Sequence, residues 1–151
     1  MKISTLMSYA HGFGGATQEI VELEKAGLDV VWVPEAYSFD AASAMGYLAA
    51  KTQRVTIASG ILNIYSRTPS LLAMTAAGID ELSDGRCMLG LGASGPQVIE
   101  GFHGVPYDAP VTRIREIVDI CRDIWRRENK LNYQGKKYQI PLPKDQGTGL
   151  G

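Results

Sequence analysis

Three short stretches carry residue types suited to chemistry. "VTIASGIL" (55–62) is an apolar run that breaks at Ser59-Gly60 and passes at once into a polar loop with Asn63, Arg67 and Thr68-Pro69. A strand gains nothing from thin packing at its end. The glycine therefore marks either a packing bulge or a place where something else approaches the backbone. "GLGASG" (90–95) ends a second apolar run. Gly92, Ala93, Ser94 and Gly95 leave room and bare N–H groups, which suits a flat ring or a phosphate, although most glycine-rich loops are turns. "PEAY" (34–37) ends a third run. Its Glu35 is a carboxylate able to take a proton, hydrogen-bond a substrate or touch a cofactor, or else to close a salt bridge. Tyr9 and Tyr37 are candidates to line the same region or simply to pack there.

The surrounding elements must place these stretches. Apolar runs at 2–8, 28–35, 54–62 and 86–93 are expected strands. The continuous run "LDVVWVPE" suits a strand covered on both faces. Helices are expected over 14–27, 41–52, 70–83 and 109–128. Thr17 is a candidate cap for the first and Gly27 its terminator. Asp40 caps the second, and Thr68-Pro69 open the third. In the last, Val111, Ile114, Ile117, Val118, Cys121, Ile124 and Trp125 recur at helical spacing. "KLNYQGKKYQI" (130–140) suits a short hairpin around Gln134-Gly135, and 141–151 is a Pro/Gly-rich loop.

The order is β-α four times, which implies an α/β fold with a parallel sheet. A doubly wound sheet would be complete at 151 residues, whereas a (β/α)8 TIM barrel needs about 250. The first turn lacks G-x-G-x-x-G, which weakens the dinucleotide fold. The chain stops inside a loop, which suits the N-terminal half of a barrel read as one domain over 1–151.

Composition excludes several classes. The chain is 45% hydrophobic and 21% charged, with a net charge of -1. No strong field draws nucleic acid or an anionic membrane. No apolar stretch nears the roughly 18 residues of a membrane helix. Cys87 and Cys121 suit buried free thiols in a reducing, cytoplasmic compartment. His11 and His103 are far apart with no carboxylate or cysteine cluster, so no metal site is expected. His11 is expected in a solvated loop. His103 lies in a loop that could cover a pocket, and Arg67 is expected to hold its loop, meet a partner or contact a phosphate.

The stretches "LDVVWVPEAYSFDA", "LAAKTQRVTIASGILNIYSRTP", "LLAMTAAGIDELSDGRCMLGLGASGPQVIEGFHG" and "TRIREIVDICRDIWR" resemble the N-terminal half of the luciferase-like monooxygenase superfamily. They are most similar to its branch of oxidoreductases dependent on the deazaflavin coenzyme F420. The resemblance implies a (β/α)8 barrel with the cofactor at the C-terminal strand ends, hydride transfer to or from an organic small molecule, and a homodimer. It implies a non-prolyl cis peptide at Gly60-Ile61 backing the ring. Cofactor contacts would come from Glu35, Ala36, Ser59, Gly60, Ile61, Asn63, Gly92, Ala93 and Ser94, with Glu35 as the catalytic candidate. Sugar-phosphate and alcohol dehydrogenases of the family carry Asp-His where this chain has Glu35-Ala36, and the former a Glu at Ala93, so neither substrate class carries over. The same half-barrel suits FMN and monooxygenation.

The helices over 40–51 and 69–82 are rich in small residues and poor in charge. Such surfaces suit close helix approach, here a homodimer, or ordinary packing on the sheet. A third reading is a non-catalytic half-barrel that packs on a partner, since open sheet edges favour association.

Overall fold

The computed structural model describes residues 1–10 and 12–149; His11 lies outside the described residues. In chain order the elements are β1 (Ser4–Leu6), α1 (Gly12–Lys25), β2 (Val30–Val33), α2 (Ala41–Lys51), β3 (Thr56–Ser59), β4 (Leu62–Asn63) and α3 (Pro69–Leu82). Then come β5 (Cys87–Met88), β6 (Leu91–Gly92), α4 (Pro96–Ile99), α5 (Pro110–Arg126), β7 (Tyr133–Gln134) and β8 (Gln139–Ile140). They fall into two compact units. One comprises Met1–Asn63 with Thr75–Gly92, the other Ile64–Met74 with the chain from Ala93 onward.

The first unit holds a parallel sheet in the order β1-β2-β3-β5, as the βα repeats predict. Register places Val31 beside Ile57 and Val33 beside Ser59. Side chains alternate across a strand, so these four share one face, and all are fully buried. The opposite face carries Leu6, Trp32, Ala58 and Met88 in one row. The strand β2 is covered on both faces as expected, with Val30, Val31 and Val33 buried and Trp32 half-buried; on the outer strands of this face Leu6 and Met88 are 61% and 40% exposed.

The third and fourth strands are each broken rather than continuous. Between the Ala58–Met88 and Leu62–Leu91 pairs, the third strand has three residues (59–61) where the fourth has two (89–90). One extra residue on one side is a bulge. The strands then resume as β4 and β6, pairing Asn63 with Gly92.

The N-terminal strand ends are tied by charge. The buried Glu24 carboxylate accepts the N–H groups of Gln53, Arg54 and Val55 at 2.7–3.2 Å. Arg86 donates to Thr52 Oγ1, to the carbonyls of Ala49, Thr52 and Val55, and through Nε to Ser83 O. Burial pushes the Glu24 carboxyl up, but the three N–H groups and Arg86 outweigh it and leave it below the usual range.

Helix signals held in part. Asp40 caps α2 through Ser43 N (2.7 Å), and Thr68 Oγ1 accepts from Leu71 N (3.2 Å). Gly27, at φ +105°, follows α1. Thr17 is no cap. Gly12 already opens the helix, and the Thr17 hydroxyl donates to Phe13 O one turn back.

In the second unit, α5 buries Glu116, Ile117, Ile120 and Cys121. Val111 and Trp125, expected on its apolar face, are 62% and 43% exposed, whereas Ile120, outside that expected set, is fully buried. The Trp125 indole donates to Ala73 O at 3.0 Å. The hairpin pairs Tyr133 with Ile140. Its turn is held by Glu116, which accepts the N–H groups of Lys136, Lys137 and Tyr138. The short helix α4 (Pro96–Ile99) opens with Pro96 at its first position and buries Ile99.

Candidate functional site

The site sits in the first unit, at the C-terminal ends of parallel strands, where ligands bind in this architecture. The Gly60-Ile61 peptide is cis, as the resemblance implied. Bonds on both sides hold this bulge. Gly60 N–H donates to Val33 O of β2 at 2.8 Å, and Leu62 N–H to Gly90 O at 2.9 Å. Ser59 is fully buried. Its hydroxyl donates to Gly90 O and accepts from Gly90 N–H, both at 2.8 Å.

Three glycines are set by close approach. A Cβ on Gly90 would collide with the Ser59 carbonyl oxygen. One on Gly92 would stand 2.9 Å from Ile61 Cγ1, and one on Gly60 would stand 3.3 Å from Trp32 Cβ. Gly90 and Trp32 were not singled out from sequence. The glycine inside the apolar run "MLGLGA" was the available signal for the first.

The structure thus brings Ser59, Gly60, Ile61, Asn63 and Gly92 together. Asn63 is buried, whereas Gly60, Ile61 and Gly92 are half-buried. Glu35 lies two residues beyond Val33, and its Oε1 accepts Ala41 N–H, the first amide of α2, at 3.1 Å. With Asp40 it places two carboxylates at that helix's N-terminus, where the macrodipole favours them. Ala36 and Tyr37 are exposed in the turn that follows. Tyr9 donates to Pro34 O (3.3 Å) and packs with Phe13 and Phe39. Burial raises its phenol pKa, with Glu35 and Asp40 adding to the rise.

Ala93 and Ser94 belong to the second unit. Ala93 is half-buried; Ser94 is exposed at φ +54°, and its carbonyl accepts from Tyr107 OH at 3.4 Å. His103 stands edge-on to Phe102, and Arg67 Nη1 donates to Ser66 Oγ. Both cysteines are free. Cys121 is buried as expected, but Cys87 is only half-buried, and burial pushes both thiols up to about 11. Among the described residues there is no cluster able to hold a metal, and no helix is long and apolar enough to cross a membrane.

The bulge offers half-buried backbone beside Gly60 and Gly92, a surface against which a flat ring can rest.

Known proteins similar to this chain fall in one family. The chain is 41% identical over 132 residues to a putative coenzyme F420-dependent oxidoreductase of Mycobacterium tuberculosis, covering 87% of this chain and 38% of that protein. Its structure resembles the coenzyme F420-dependent tetrahydromethanopterin reductase of Methanopyrus kandleri (TM-score 0.79, 22% identity, 93% of this chain, 44% of that one). It also resembles the oxygenating constituent of 3,6-diketocamphane monooxygenase of Pseudomonas putida, in complex with FMN (TM-score 0.80, 20% identity, 95% and 44%). The fold is therefore that of luciferase-like TIM-barrel enzymes, and the chain spans less than half the length of each of these proteins. The family model for luciferase-like monooxygenases matches residues 2–148, and the chain belongs to that family.

Proposed function

We propose that this chain carries the ring-binding part of an oxidoreductase that uses coenzyme F420 to move hydride to or from an organic small molecule. The observation that carries the reading is the bulge at Gly60-Ile61. It is pinned to both neighbouring strands and leaves half-buried backbone at the sheet's ligand end. The relative at 41% identity supports the same coenzyme.

When bound, a deazaflavin supplies two-electron hydride exchange. Gly60, Ile61 and Gly92 would present the surface for its ring. Asn63, Ala93 and Ser94 are further candidates to contact the coenzyme. Glu35 holds the β2–α2 turn through Ala41 N–H, and its carboxylate is the candidate for hydrogen-bonding substrate or moving a proton there.

FMN is the second reading, favoured by the likeness to the FMN-containing monooxygenase. A fluorescence titration with coenzyme F420, with FMN as competitor, separates the two. Saturable F420 binding that FMN displaces poorly supports the proposal. Tighter FMN binding moves the reading to a flavin monooxygenase, and binding of neither sinks both.

We also infer a homodimer through α2 and α3. Leu71, Met74, Gly78 and Leu82 lie at i, i+3, i+7 and i+11 of α3 and form an exposed apolar stripe. On α2, Tyr47 and Ala50 are exposed.

A further inference from the structure

We propose that Ser59 is a positioning residue: its buried hydroxyl, bonded twice to Gly90, fixes where the Gly60-Ile61 bulge stands and so sets the surface on which the coenzyme ring rests. The proposal builds on the F420 reading above and assigns Ser59 a role other than direct contact.

A bulge removes regular ladder partners from nearby backbone groups. At Gly90 the N–H finds its partner in Ser59 Oγ, which also donates to the Gly90 carbonyl. That carbonyl keeps a second partner in Leu62 N–H on the far side of the bulge. The hydroxyl therefore bridges the residue before the bulge to the same peptide segment that holds the residue after it. Ser59 is wholly enclosed, on the face shared with Val31, Val33 and Ile57. A buried hydroxyl is costly unless paired, and both of its bonds are spent on Gly90. The glycine at 90 is what allows this approach, because a Cβ would strike the Ser59 carbonyl. Ile61, lying over Gly92, then follows the position of the bulge.

The test compares Ser59→Ala with Val31→Ala, a cavity variant in the same buried layer but away from the bulge. Two quantities are read: amide hydrogen exchange without ligand, and the dissociation constant for coenzyme F420. Ser59→Ala should speed exchange at Gly90 and Leu62 by about tenfold and leave Met7, bonded to Trp32 O, unchanged. It should weaken F420 binding by about tenfold, whereas Val31→Ala, at a temperature where both variants are folded, should not. Should Ser59→Ala fail to fold, Ser59→Cys, similar in size but weaker in hydrogen bonding, should give smaller changes in the same direction. Unchanged local exchange, or unchanged affinity despite faster exchange, overturns the proposal. A wild-type protein that binds neither F420 nor FMN instead overturns the functional reading on which it rests.

Discussion

Ile61 lies so close over Gly92 that a Cβ on the glycine would stand 2.9 Å from Ile61 Cγ1 and 3.1 Å from its Cδ1. This side chain of the bulge therefore has its place only because residue 92 has none. The same strand end sets a graded series. At Gly90 the obstacle is backbone, at Gly92 the stem of the β-branched Ile61 side chain, and at Gly60 the Trp32 side chain at 3.3 Å. Alanine should destabilise in that order: Gly90 most, Gly60 least. The loss at Gly92 should be about 1–3 kcal/mol, as for added volume in a packed core. Urea unfolding of the three variants measures the order, and a Gly90→Ala protein as stable as Gly60→Ala would contradict the geometry.

Glu24 makes stability depend on acid. Its folded carboxyl lies below the ordinary value of 4.5, so its contribution is present above that value and lost as pH falls through the folded one. Glu24→Gln should cost about 1.5–3 kcal/mol at pH 7, the range for hydrogen bonds to a charged group. The difference from wild type should shrink below pH 4.5. Denaturant titrations across that range check both statements.

Glu116 does for the hairpin what Glu24 does for the sheet. Three successive N–H groups, from Lys136 to Tyr138, end on its carboxylate. Glu116→Ala should raise amide exchange at 136–138 and open the 130–140 segment to limited proteolysis. Cleavage there at the wild-type rate would show that the turn stands without it.

The stripe on α3 predicts the oligomeric state. Met74 is 66% and Leu82 70% exposed. A glutamate at either position should convert a dimer into a monomer by light scattering and make the unfolding midpoint independent of protein concentration. A wild-type monomer would end this reading.

Much of this architecture was legible beforehand, for local reasons. Asp40 and Thr68-Pro69 signal helix starts through chemistry confined to one turn, and both signals held. The run "VTIASGIL" gave away its bulge through Ser59-Gly60. What escaped depends on partners distant in sequence. Ser59 looked like a contact residue because nothing local shows that Gly90 consumes its hydroxyl. Glu35 is read from sequence as an acid for chemistry or a salt bridge, yet one oxygen accepts Ala41 N–H six residues on. Glu24, Arg86 and Glu116 drew no notice, since an acid or base on an amphipathic helix or at a strand start normally faces water. Their role appears only once loops from other parts of the chain end on them. Thr17 misled for the opposite reason: a capping residue type also tolerates a place inside a helix, where its hydroxyl bonds one turn back.

The central claim is that the Gly60-Ile61 bulge is the coenzyme surface. Its most direct test is to add coenzyme F420 to isotope-labelled protein and follow every backbone amide by NMR. The largest shifts should fall on Gly60, Ile61, Leu62 and Gly92, with Glu24 and its partners at the other end of the sheet unmoved. Saturable shifts centred elsewhere, with the bulge amides unchanged, would contradict the claim.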